Sequence, residues 1–142
     1  MGTPEENKEV VTRHVQNFPS YTAKALETGD PSYLAVDFTD DFFWAMPKSI
    51  PRSGVHRGMP AVLEFLRQGL GLFEHGTMKT EIVGMIAEGD QVAARINCTA
   101  RTSKGRDYDN QYHILFRVRD GKISELWDFQ DTLHFWQACY AD

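Results

Sequence analysis

Asp128 is the residue of this sequence with the clearest potential for chemistry. It lies in Ser124-Glu125-Leu126-Trp127-Asp128-Phe129-Gln130, where a strand would place Ser124, Leu126, Asp128 and Gln130 on one face. A carboxyl held among apolar groups loses hydration of its charged form. Its pKa then rises toward neutrality, where it can serve as acid, as base, or as each in turn. The bland alternative is that Asp128 joins Asp131 in capping a terminal helix or pairs with a surface Arg, since ion pairs also perturb carboxylates.

Two histidines and two tyrosines could complete such a site. His14 falls on the apolar stripe of the first helix, where an imidazole can relay a proton or orient a carbonyl. His56 precedes a later helix and is a second proton-transfer candidate for Asp128. Tyr21, on or next to the inward face of the first helix, and Tyr112 on its strand can donate hydrogen bonds to a substrate oxygen. Phe18, Trp44, Met46, Ile114 and Leu126 would form apolar walls around these groups. Ordinary core packing remains open for each of these residues. No spacing of His and carboxylate matches a metal site, and Cys98 and Cys139 are too few and too far apart for a disulfide framework.

The elements that must position these groups follow from punctuation and periodicity. Thr3-Pro4-Glu5-Glu6 predicts a capped helix start. Val10, His14, Phe18, Tyr21 and Ala25 carry that helix on one face to about Glu27, and Gly29 closes it. Asp30-Pro31 opens a short helix through Ala35, and Phe42 to Met46 reads as a strand stopped by Pro47. An irregular stretch, 47–58, leads to a helix opened by Pro60 and ended by Gly69 and Gly71.

Strands follow at 78–87, 91–102, 108–119 and 122–129, joined by Glu88-Gly89-Asp90, Ser103-Lys104-Gly105-Arg106 and Asp120-Gly121. In the second of these, Val92, Ala94, Ile96, Cys98 and Ala100 alternate with Arg95, Asn97, Thr99 and Arg101, so one side is buried. A short terminal helix carries Leu133, Phe135 and Trp136. Helices first and an antiparallel meander last indicate the α+β class. A twisted meander wrapped on a long amphipathic helix encloses a conical space, and incomplete filling of that space makes a pocket.

The chain's 142 residues suit one domain, 1–142, with one core. A composition of 42% hydrophobic and 25% charged residues is that of a globular protein. The net charge of −5 with scattered Lys and Arg argues against a nucleic-acid partner. No apolar run reaches the roughly 18 residues that cross a bilayer, and the polar, acidic start is unlike a signal peptide, so no membrane partner and a cytoplasmic location are expected.

Four features together are similar to SnoaL-like proteins of the nuclear-transport-factor-2-like superfamily: Gly29-Asp30, Thr39-Asp40-Asp41, Gly54-Val55-His56-Arg57-Gly58, and the run from Arg117 to Asp128 through Asp120-Gly121-Lys122-Ile123. The resemblance spans nearly the whole chain and implies a cone-shaped fold with a curved sheet around the first helix. It implies that the Asp128 face looks into the cone and that His56 lies at its rim. The superfamily holds isomerases, cyclases, dehydratases, epoxide hydrolases and non-catalytic binding domains, so activity must be argued from the site.

The acids of the steroid isomerases would fall at Met46, before Pro47, and at Ile114, so classical steroid isomerisation is not expected. The arrangement of one arginine with paired Asp residues in limonene-epoxide-hydrolase-like members is not evident either, because the strand bearing Arg95 has Asn97 instead of a following acid. The cyclases carry a Trp-Asp pair on the last strand, matched here by Trp127-Asp128. The resemblance therefore implies a cofactor-independent cyclase, isomerase or dehydratase acting on a hydrophobic polyketide- or terpenoid-like molecule. The rival is a binding or interaction domain of the same fold. Related folds pair through the outer sheet face, so a homodimer is also expected.

Overall fold

A computed structural model describes residues 2–142. Helix α1 (Pro4–Thr28) begins as its sequence dictates. The Thr3 hydroxyl accepts from the Glu6 N–H at 3.1 Å, and the Glu6 carboxylate accepts from the Thr3 N–H. At the other end Gly29 takes φ 73°, a left-handed conformation open to glycine without strain, and its N–H reaches the Ala25 carbonyl. A 3₁₀ turn, Pro31–Ala35, follows, capped by Asp30.

Pro19 lies inside α1 and has no N–H to give the Val15 carbonyl one turn earlier. The Thr80 hydroxyl donates to that carbonyl instead, at 2.7 Å. The helix thus continues through its proline because a strand residue supplies the missing donor.

Six strands form one sheet: β1 (Phe38–Met46), β2 (Gly54–Arg57), β3 (Lys79–Glu88), β4 (Gln91–Arg101), β5 (Asp107–Arg119) and β6 (Lys122–Gln130), in the order β2-β1-β6-β5-β4-β3. The expected meander is β3 to β6, antiparallel throughout. The structure corrects the sequence reading in three places. β1 starts at Phe38 rather than Phe42, and it pairs parallel with β6. The supposedly irregular stretch 47–58 contains β2, hairpinned on β1 from Met46↔Gly54 to Phe43↔Arg57. No β2 residue is fully buried, so the strand lacks the alternation that would have announced it.

Helix α1 crosses the inner side of the sheet against β3 to β6, while α2 (Met59–Gly69) covers β1 and β2. Register shifts at Ile82/Gly84 in β3 and at Arg117/Val118 against β6 bend the strands around α1, giving an α+β cone. The second shift leaves Ile123 and Ser124 both buried, after which Leu126 and Asp128 alternate inward with Trp127 and Phe129 outward.

The main core includes Val11, Phe42, Val62, Val92, Phe116 and Leu126. A second cluster, around Ile50, Cys98, Tyr108 and Phe135, lies under helix α3 (Thr132–Cys139). Of the three large apolar residues expected on α3, only Phe135 is buried, and Leu133 and Trp136 are exposed. Among the described residues no helix is long and apolar enough to cross a membrane.

Candidate functional site

Where the two clusters meet, the cone is incompletely filled and leaves a cavity of about 180 Å³. A dry apolar cavity of about 150 Å³ is large enough to bind benzene, so this space suits a small ring-bearing molecule. Phe18 and His14 enter its wall from α1, Trp44 and Met46 from β1, Tyr112 and Ile114 from β5, and Leu126 and Asp128 from β6.

Asp128 is the one carboxylate in this wall, and only 5% of its surface is exposed. It receives two neutral donors: Trp44 Nε1–H at 3.3 Å and Gln130 Nε2–H at 3.0 Å. Burial raises the carboxyl pKa and outweighs both hydrogen bonds, leaving it at about 6 against an ordinary 3.8. The cap of α3 is made by Asp131 rather than Asp128, with the Asp131 carboxylate accepting from the His134 N–H.

Behind Asp128 a chain of hydrogen bonds runs along the sheet. Gln130 Oε1 accepts from Asn110 Nδ2 at 3.2 Å, Asn110 Nδ2 also donates to the Tyr108 hydroxyl at 2.8 Å, and Tyr108 shares a hydrogen bond with the Tyr112 hydroxyl. Burial, followed by the nearby Tyr108, pushes the Tyr112 phenol well above its ordinary value, so it stays protonated, and the residue forms part of the cavity wall.

Facing the same cavity, His14 is held from behind. Its Nδ1 lies 3.1 Å from Asp37 Oδ2, which also accepts from the Tyr21 hydroxyl at 3.1 Å, and Arg13 Nε stands 3.7 Å from Oδ1. Burial raises the Asp37 carboxyl, but hydrogen bonding and charge from His14, with Tyr21 and Arg13, outweigh it and leave the pKa below the ordinary value. Asp37 is therefore an ionised anchor. Nδ1 is thus engaged by Asp37, while the His14 ring forms part of the cavity wall.

Two sequence candidates stand elsewhere. Tyr21 is outside the cavity wall and serves Asp37 rather than a substrate oxygen. His56, expected at the rim as a partner of Asp128, also falls outside the wall. It stacks on Phe65 with ring centroids 4.1 Å apart, and its Nε2–H donates to the Arg52 carbonyl at 3.3 Å. The hairpin that formed β2 turned this imidazole onto α2. Asp37 and Arg52, by contrast, were missed. Asp37 sits between a 3₁₀ turn and a strand, and Arg52 sits in the turn between two strands, so neither falls on a periodic face that would mark it.

The sequence profile of the SnoaL-like domain matches residues 20–126, three quarters of the chain. The chain belongs to the SnoaL-like domain family. The match stops two residues short of Asp128. No curated protein sequence matches this SnoaL-like chain.

Solved structures share its fold at low identity. A candidate SnoaL-like polyketide cyclase from Jannaschia sp. CCS1 is 18% identical, with TM-score 0.74 over 100% of this chain and 98% of the other. TerC, co-crystallized with polyporic acid, is 20% identical, with TM-score 0.69 over 96% and 99%. An NTF2-like protein from Burkholderia xenovorans LB400 is 21% identical, with TM-score 0.65 over 96% and 98%. In this SnoaL-like domain Met46 and Ile114, the positions compared above with isomerase acids, are apolar parts of the cavity wall.

Proposed function

We propose that residues 1–142 form one cofactor-independent acid–base enzyme of the cyclase, isomerase or dehydratase type, acting on a hydrophobic polyketide- or terpenoid-like molecule. The observation that carries this reading is a buried carboxyl of pKa about 6 on the wall of an apolar cavity, with only neutral hydrogen-bond partners. Such a group is ionised near neutral pH yet basic enough to accept a proton.

Asp128 removes the proton next to a substrate carbonyl, and the C–H electron pair becomes the enolate. The Tyr112 hydroxyl donates to the developing oxyanion. His14, oriented by Asp37, exchanges the second proton as the enolate closes on an electrophile, shifts its double bond or expels water.

An assay that needs no knowledge of the natural substrate is deuterium exchange at the α-carbon of small aryl ketones and 1,3-diketones in D₂O, followed by NMR. Wild type should accelerate exchange and Asp128→Asn should not. Full exchange by Asp128→Asn would sink the assignment.

A second reading, a binding domain without chemistry, is favoured by the apolar Met46 and Ile114 in the wall. Thermal stabilisation by such ketones without exchange or product would support it.

We also propose that two copies pair through the outer sheet face. Cross-strand register lines up Trp127, Leu115, Ala93 and Ile86 across four strands of that face, with Phe129 beside them. Ile86 and Phe129 are 76% and 57% exposed, and exposed apolar rows of this kind mark association surfaces.

A further inference from the structure

Arg52 is a cation without a counter-ion at the wall of the cavity. Among the described residues no carboxylate lies within ion-pair distance of its guanidinium. Nη2 donates to the Phe65 carbonyl, the guanidinium carbon stands 4.2 Å from the centre of the Phe65 ring, and Nε is buried with no acceptor. A guanidinium carries five N–H donors, and leaving a buried one unmet costs stability.

The fold nevertheless goes to some length to keep the group there. Arg52 has φ 65°, a left-handed conformation that disfavours any side chain with a Cβ, and its carbonyl is held by His56. Gly69 at the end of α2 leaves room for the guanidinium: a Cβ at that position would come within 2.6 Å of both Nη1 and Nη2. Arg52 and Gly69 both line the cavity with Phe65, whose ring the cation covers.

A purely structural cation at the end of α2 would need neither a place in an apolar cavity wall nor a buried unmet donor. Nor is Asp128 its partner, since the hydrogen bonds to that carboxyl come from Trp44 and Gln130.

We infer that the cavity takes a small ring-bearing carboxylate, its apolar skeleton against Trp44, Met46 and Phe65 and its carboxylate against the Arg52 guanidinium. This rests on the reading of the cavity as a ligand site and names the class of ligand. Arginine suits the task, because its planar charge meets a carboxylate in charge-assisted hydrogen bonds, whereas an uncharged isostere gains nothing comparable.

A matched pair tests it: 2-naphthoate and 2-naphthamide titrated into the full chain by calorimetry at pH 7.5. Wild type should bind the acid at least tenfold tighter than the amide, and Arg52→Met should bring the two within twofold. Should Arg52→Met fail to fold, Gly69→Ala provides the second arm, since its Cβ displaces the guanidinium and should shrink the preference.

Equal binding of acid and amide to wild type overturns the inference, as does a preference that survives Arg52→Met. Binding of neither compound counts against both the cavity as a ligand site and the inference. Loss of ketone exchange in Asp128→Asn without an acid preference removes only the carboxylate class. An acid preference with full exchange by Asp128→Asn removes only the catalytic assignment.

Discussion

The Trp44 indole donates to the Asp128 carboxylate at 3.3 Å across the parallel pairing of β1 and β6, joining residues 84 positions apart in the chain. The contact places the one carboxylate of the cavity wall beside a ring that cannot neutralise it. It also ties the carboxyl's pKa to a strand pairing absent from the meander.

Activity should follow the Asp128 titration. With the carboxylate as base, kcat/KM for ketone exchange should rise with pH through a midpoint near 6. Asp128→Asn should lower it by about 10²-fold or more. Trp44→Phe removes a hydrogen bond that lowers this pKa, so its pH–rate midpoint should move upward.

Stability should carry the same signature. The folded-state pKa of Asp128 is raised, so its favourable contribution is complete below the ordinary value of 3.8 and is lost as pH climbs through about 6. Relative to wild type, Asp128→Asn should therefore gain stability across that window, by up to about 3 kcal/mol. Urea denaturation of both proteins at pH 4, 5, 6 and 7 measures the change. A difference independent of pH would contradict it.

Asp37 behaves with the opposite sign. Its pKa is lowered, so its stabilisation is present above the ordinary carboxylate range and fades as pH falls through it. Asp37→Ala leaves the buried His14 Nδ1 without its hydrogen-bond partner and Arg13 without its ion-pair partner, and should cost about 1–3 kcal/mol in denaturant unfolding at pH 7. Tyr21→Phe removes one hydrogen bond to the same oxygen and should cost about 1 kcal/mol.

Thr80→Val should cost about 1–3 kcal/mol, because the Val15 carbonyl is then left without a donor beside Pro19. In a Pro19→Ala background the restored helical N–H can reach that carbonyl, and the same Thr80 change should cost less. A double-mutant cycle by chemical denaturation reads the coupling directly.

Phe129→Glu places a charge in the exposed apolar row of the outer face and should convert dimers to monomers in sedimentation velocity while leaving the fold's circular dichroism unchanged. A wild-type protein that sediments as a monomer at all concentrations would remove the proposed pairing.

Local chemistry made much of this molecule legible in its sequence. Thr3, Pro4 and Glu6 fix the start of α1, Gly29 fixes its end, and the alternation from Val92 to Cys98 gives the buried face of β4. Each depends on residues within a few positions of one another. The same short-range parity assigned Asp128 to the face of Leu126, and the register shift at Ser124 lies early enough in β6 to leave that relation intact.

Only the tertiary structure could decide which groups meet. The parallel pairing of β1 with β6 brings Trp44 to Asp128, the β2 hairpin turns His56 onto Phe65, and the return of the chain after α1 brings Asp37 to His14 and Tyr21. Arg52 is set in the wall by Phe65 and Gly69, thirteen and seventeen residues further on, across a turn with no repeating pattern. Periodicity records which side of an element is buried. It does not record which distant element covers that side, because that choice is made by the packing of the whole cone.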